Sequence, residues 1–137
     1  MVVLMALPVL AVGANYDAIP ETFFNKLKSG QPDAAIDYLY NTNAWVSKNS
    51  DQVVNLKSQL KGLEGLVGKY LFHELIVEEK VGSHYAHLIY LVGYERQPLR
   101  FEIKVYKAGD GWRFQGVSFD AELTDQVERL ANQRLLN

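Results

Sequence analysis

From residue 69 to residue 120, apolar and polar side chains alternate with a period of two. The alternation is cleanest over 99–120, where Leu99, Phe101, Ile103 and Val105 interleave with Arg100, Glu102, Lys104 and Tyr106. Such a pattern belongs to a strand that is wet on one face and buried on the other. It predicts four strands, over 69–81, 84–95, 99–107 and 112–120. Gly82-Ser83, Arg96-Gln97-Pro98 and Gly109-Asp110-Gly111 supply the turns of an antiparallel meander.

A two-residue turn at Gly82-Ser83 sets Val81 opposite His84. Continuing that register places Val77 opposite Leu88, Leu75 opposite Tyr90 and His73 opposite Val92. Across the next turn, Tyr94 falls beside Leu99, Val92 beside Phe101, Tyr90 beside Ile103 and Leu88 beside Val105, which makes one face continuously apolar. On the last strand Trp112 and Phe114 point inward, and Gly116 must form a bulge for Val117 and Phe119 to do the same.

Before residue 69 the period is helical. Pro20 suits a first helical turn, and Phe23, Phe24 and Leu27 follow at helical spacing until Gly30. Pro32-Asp33 restarts the pattern, with Ala35, Ile36 and Leu39 on one side and Asn41-Thr42-Asn43 at its end. A third helix starts near Ser50 or Asp51, carries Val53, Leu56, Leu60 and Leu63 on one stripe, and closes between Gly62 and Gly68. The tail, 121–136, reads as a fourth helix with Leu123, Val127, Leu130 and Leu135 available for packing. The expected fold is α+β, with three helices packed on a curved four-stranded meander and one helix after it.

Length and charge narrow the function classes. The chain has 137 residues, enough for one domain, with a net charge of −2 that removes the usual electrostatic basis for nucleic-acid binding. Having no cysteine, it offers neither a disulfide framework nor a thiolate for catalysis or zinc. The segment 2–14 is almost wholly apolar, too short to span a bilayer, and ends in Ala11-Val12-Gly13-Ala14, small residues that a signal peptidase accepts. It reads as a secretory signal, and so as export to the periplasm or the medium. The alternatives are a buried N-terminal strand or a misplaced start.

Three helices and then a meander whose last strand is entered through Gly111-Trp112-Arg113-Phe114 resemble the nuclear transport factor two-like superfamily over residues 19–120. The resemblance implies a cone in which a curved sheet wraps the helices around a pocket, often in dimers that meet through the outer sheet face. That scaffold carries isomerases, dehydratases, epoxide hydrolases and non-enzymatic binding or assembly domains, so fold alone does not choose among them. Ketosteroid isomerase-like members use an acidic base with a Tyr and an acid. The inward positions of the register above carry no Asp or Glu near the pocket except Glu79 at a strand end.

His73 is the one histidine that this register turns inward, between Tyr90 and Tyr94. With Trp112 these residues form the candidate ligand-binding set. The competing reading makes His73 a hydrogen-bonded core residue and the tyrosines packing groups. His84 and His87 are three apart on a strand and point to opposite faces, so no metal site is expected, and no cofactor is implied. His87 is expected to pair with Glu78 at the surface. Trp45, Tyr38 and Tyr40 are candidates for the pocket mouth or the core. On the opposite sheet face Tyr70, Phe72, Ile76, Ile89 and Leu91 make an apolar patch, and Phe72, Ile76, Ile89 and Leu91 are the candidate interface. Its cover is either the C-terminal helix or a second subunit. The expected function is a non-enzymatic binding or assembly module. Its expected partners are a small apolar ligand, a second copy or an envelope protein. The alternatives are a cofactor-independent lyase or isomerase and a structural subunit of an envelope complex.

Overall fold

A computed structural model describes residues 15–137. The proposed signal segment, 2–14, lies outside the described residues. A short 3₁₀ turn, Tyr16–Ala18, leads into α1 (Ile19–Lys28), α2 (Pro32–Asn41) and α3 (Asp51–Val67). The strands β1 (Tyr70–Val81), β2 (Tyr85–Tyr94), β3 (Pro98–Lys107) and β4 (Trp112–Asp120) form one antiparallel sheet in the order β1-β2-β3-β4, and α4 (Leu123–Leu136) follows. The α+β meander with three helices before it and one after is therefore as expected. Among the described residues no helix is long and apolar enough to cross a membrane.

Local chemistry explains where the helices begin. Pro20 and Pro32 occupy first turns, where a missing N–H costs nothing, and the Ser50 side chain accepts a hydrogen bond from the Val53 N–H. Lys57 and Lys61 of α3 pair with Asp37 and Asp33 of α2 at 2.6 and 2.7 Å. Gly68 ends α3 at φ +87°, and a Cβ there would lie 2.7 Å from the Glu95 Cβ, so the crossing into β1 admits only glycine. The core lies between the helices and the inner sheet face. Phe23 and Phe24 of α1 meet Phe101 of β3, and Phe24 also meets Tyr90 of β2. The end of α2 is tied to β4 at one residue, with the Thr42 hydroxyl accepting the Phe114 N–H and the buried Asn43 amide donating to the Phe114 carbonyl.

The register departs from expectation on β1. His73 opposite Val92 and Leu75 opposite Tyr90 are observed, but Val77 lies opposite Ile89, Glu78 opposite Leu88 and Val81 opposite Tyr85. The turn uses three residues, Gly82, Ser83 and His84, because His84 pairs its backbone and ring with Lys107 of β3 instead. The register shift between Leu75 and Val77 absorbs the odd residue as a bulge at Ile76. Every side chain beyond it changes face relative to the simple alternation, so Glu78 turns inward and Glu79 outward. A second shift between Tyr70 and Phe72 turns Tyr70 away from the outer patch, against Tyr94.

Between β2 and β3 the observed partners are Tyr90 with Phe101 and Leu88 with Ile103. The expected pairing is displaced by two residues, which preserves the faces, because the turn closes with Gly93 opposite Pro98. On β4 the extra residue is Gln115, one position before the expected Gly116: Phe114 pairs with Val105 and Gly116 with Lys104, which leaves Val117 and Phe119 on the inner side.

Candidate functional site

Two carboxylates reach the His73 region, one of them through the bulge at Ile76. Glu78 arrives on β1 and Glu21 from the first turn of α1, and both line a recess of about 320 Å³ with His73, Tyr16 and Tyr90. Pro20 and Leu75 form its apolar lip and Asn15 its third polar edge. The recess is thus more polar than the apolar pocket expected from sequence.

His73 is clamped on both nitrogens. Tyr70 Oη bonds Nδ1, and Glu21 accepts at Nε2 with its two oxygens 3.0 and 3.1 Å away. Burial first, then the nearby Tyr94 and Glu21, hold the Tyr70 hydroxyl well above the ordinary tyrosine range. The hydroxyl therefore keeps its proton, and both imidazole nitrogens are engaged within the protein, Nδ1 by Tyr70 and Nε2 by Glu21. Phe24 stacks on the imidazole at 4.5 Å. His73 is thus the hydrogen-bonded histidine of the competing reading, held at the wall of an open recess with no nitrogen left for a ligand.

The remaining polar groups are Glu78 and the tyrosines. Tyr16 donates its hydroxyl to Glu78 Oε2 at 2.5 Å, and Lys80 stands 3.7 Å from Glu78 Oε1. Tyr16 is fixed by an unusual turn. Tyr16, Asp17 and Ala18 all have φ between +53° and +59°, a conformation costing roughly 1–2 kcal/mol per non-glycine residue. Contacts at both ends offset that cost: the Asp17 carboxylate accepts the Trp112 N–H at 2.7 Å, and the Tyr16 ring packs edge-on against Trp112.

Tyr90 is only 5% exposed, and its hydroxyl has no hydrogen-bond partner among the described residues. It lies in the wall between the two carboxylates. Burial first, then Glu21 and Glu78, push its pKa up.

The four residues predicted as one ligand set separate. His73 and Tyr90 share this recess, whereas Tyr94 lines a second one of about 220 Å³ with Tyr70, Leu60 and Gly68. Trp112 lines a third with Lys80, Gly82 and Tyr85, and Tyr16 is the wall between it and the first. Sequence reasoning missed Glu21, which had no visible reason to meet β1, and Glu78, which strict alternation placed outside. The run Leu75-Ile76-Val77, three apolar residues where alternation requires a polar one, was the available signal of the bulge.

The other candidates fall elsewhere. His87 lies opposite Glu79 and Lys104 and pairs diagonally with Glu102 at 3.4 Å, not with Glu78, because the bulge moves Glu78 to the other face. Trp45 is 83% exposed, neither core nor pocket wall, whereas Tyr40 packs on Phe114. Among the described residues no three His, Cys, Asp or Glu side chains converge as metal ligands would.

Of the candidate interface, Phe72 and Ile76 are 49% and 43% exposed, and Ile89 and Leu91 are half-buried. Phe72 lies over Gly93, whose hypothetical Cβ would sit 2.2 Å from the ring. The C-terminal helix leaves Phe72 and Ile76 of this patch exposed. It buries no side chain and is tied to the sheet through Arg100, which bonds Gln126 at 2.5 Å and Asp120 at 2.6 Å.

No protein-family model, curated protein or solved structure matches this chain.

The tyrosines make a pH prediction. Tyr16, Tyr70, Tyr90 and Tyr94 are all pushed above the ordinary 10.0 with burial as the largest cause, Tyr94 to about 12. Above pH 10 the unfolded chain gives up phenolic protons that the folded chain retains, so their contribution to stability is intact below 10 and lost as pH climbs through 12. Denaturant midpoints should fall across that window, and fall less steeply in Tyr94→Phe. An equal slope in the variant contradicts the assignment.

Proposed function

We propose that this chain is a small-molecule binding module whose site is the recess between α1 and the inner face of β1 and β2. The observation that carries this reading is the Tyr90 side chain, held by packing at 5% exposure with no hydrogen-bond partner for its hydroxyl among the described residues, in the wall of a 320 Å³ recess that also presents Glu21 and Glu78. Polar groups that packing holds in a concave wall, with hydrogen-bonding capacity left over, are what fix a ligand's orientation in a pocket. Export and descent from the nuclear transport factor two-like superfamily belong to the same proposal; the first rests on the apolar segment 2–14 and the second on the sequence resemblance over 19–120.

The lyase or isomerase alternative acquires the carboxylate it lacked at His73. Because both imidazole nitrogens are spent within the protein, however, its acid–base pair would be Glu78 and the Tyr90 hydroxyl. Nothing orients a reacting bond between them, so binding is the reading adopted.

A second reading, assembly, is favoured by β1 itself. It is an edge strand of 12 residues, and Leu71, Phe72, Leu75, Ile76, Val77 and Val81 are each at least 40% exposed along it. Long apolar edges are templates for pairing with another strand. Light scattering of the purified chain is expected to give a mass above one copy that Val77→Lys returns to one copy. A monomer at all concentrations removes this reading.

Binding is tested with a fragment set of mixed charge, followed by amide NMR. At least one fragment is expected to give saturable shifts confined to residues 15–21, 73–78 and 90, and to lose them in Leu75→Arg. That variant blocks the lip at a side chain already 42% exposed, so the fold is preserved. Shifts that cluster at the Tyr94 or Trp112 recess instead overturn the assignment.

A further inference from the structure

We propose that the recess takes a small primary ammonium ion on a short apolar stem. This rests on the binding reading above and goes beyond it by naming the ligand's chemistry. Among the described residues Glu21 and Glu78 are the only carboxylates in the lining, and no Lys or Arg lines it. Lys80, 3.7 Å from Glu78, lines the neighbouring recess and leaves the Glu78 carboxylate only partly engaged.

The acceptor count matches an ammonium group. A carboxylate offers about four lone-pair directions. Glu21 spends its oxygens on one imidazole N–H, and Glu78 spends Oε2 on the Tyr16 hydroxyl. The free directions of both carboxylates and the unpartnered Tyr90 oxygen offer sites for three N–H donors. Pro20 and Leu75 at the lip suit a few methylenes behind the charged head.

Competing ligand classes fit less well. An anion meets two carboxylates and no fixed cation. A bare metal ion would need a ligand set that does not converge anywhere among the described residues, and neutral phenols are poor substitutes for it. A wholly apolar molecule would leave the Tyr90 hydroxyl and the free carboxylate directions dry and unpaired, which is the outcome buried polar groups oppose most strongly.

The experiment titrates the full chain with n-butylammonium, butyrate and 1-butanol at matched ionic strength and reads the signals of Glu21, His73, Glu78 and Tyr90 by NMR. Butylammonium is expected to saturate at these residues and to bind about tenfold or more tightly than butanol, as charge-assisted hydrogen bonds to a carboxylate imply. Glu78→Gln, which keeps the acceptor for Tyr16, should weaken it about tenfold. Glu21→Gln is the second variant should the first not fold. If butyrate or butanol binds here as tightly, the ammonium inference fails while the binding module stands. Failure of butylammonium to saturate, or affinity in both Gln variants unchanged from that of the parent chain, also overturns it, and the binding reading is then decided separately by the mixed fragment set.

Discussion

A hairpin strand that must serve a three-residue turn at one end and a fixed core register at the other has one residue too many, and the chain places that residue at Ile76. The core side of the constraint is strong: His73 stacks on Phe24, and Leu75 pairs with Tyr90, which itself packs on Phe24. The turn side is equally fixed, because His84 is committed to Lys107 on β3. Sheet faces alternate strictly, so one unpaired residue reverses every later side chain on the strand. Glu78 reaches the recess for that reason, and Val77 joins the exposed edge for the same reason.

The inward Glu78 in turn anchors the strained turn ahead of α1. Three successive left-handed residues would not persist without over-determination by their surroundings. Tyr16 supplies it at one end through Glu78 and Trp112, and Asp17 at the other through the β4 backbone. The entry to α1, the wall of the recess and the start of β4 are therefore mechanically one unit. Glu21, one residue beyond Pro20 on the same short segment, is held where it meets His73.

Much of this architecture was legible in the sequence because it depends on local periodicity. The helix pauses at Gly30 and near Asn41, the switch to period two at residue 69, the Gly-Asp-Gly turn and the irregularity beside Gly116 are all written in residue types whose conformational preferences are strong. His73 and Tyr90 were legible as neighbours on the inner face because the Leu75–Tyr90 register held. Glu78, Tyr70 and His87 were misplaced because one-residue shifts carry no strong local signature and are set by distant partners, here Lys107 and Gly93. Tyr94 and Trp112 do point inward, but helices and Tyr16 divide the interior into separate recesses that strand alternation cannot reveal.

The site therefore stands or falls with the register of β1 beyond Leu75. The decisive measurement is the set of cross-strand nuclear Overhauser contacts between the β1 and β2 backbones. Leu75 facing Tyr90, a break at Ile76, and Glu78 facing Leu88 are the pattern predicted by this account. Uninterrupted pairing, with Val77 facing Leu88 and Val81 facing His84, would turn Glu78 to solvent and contradict it.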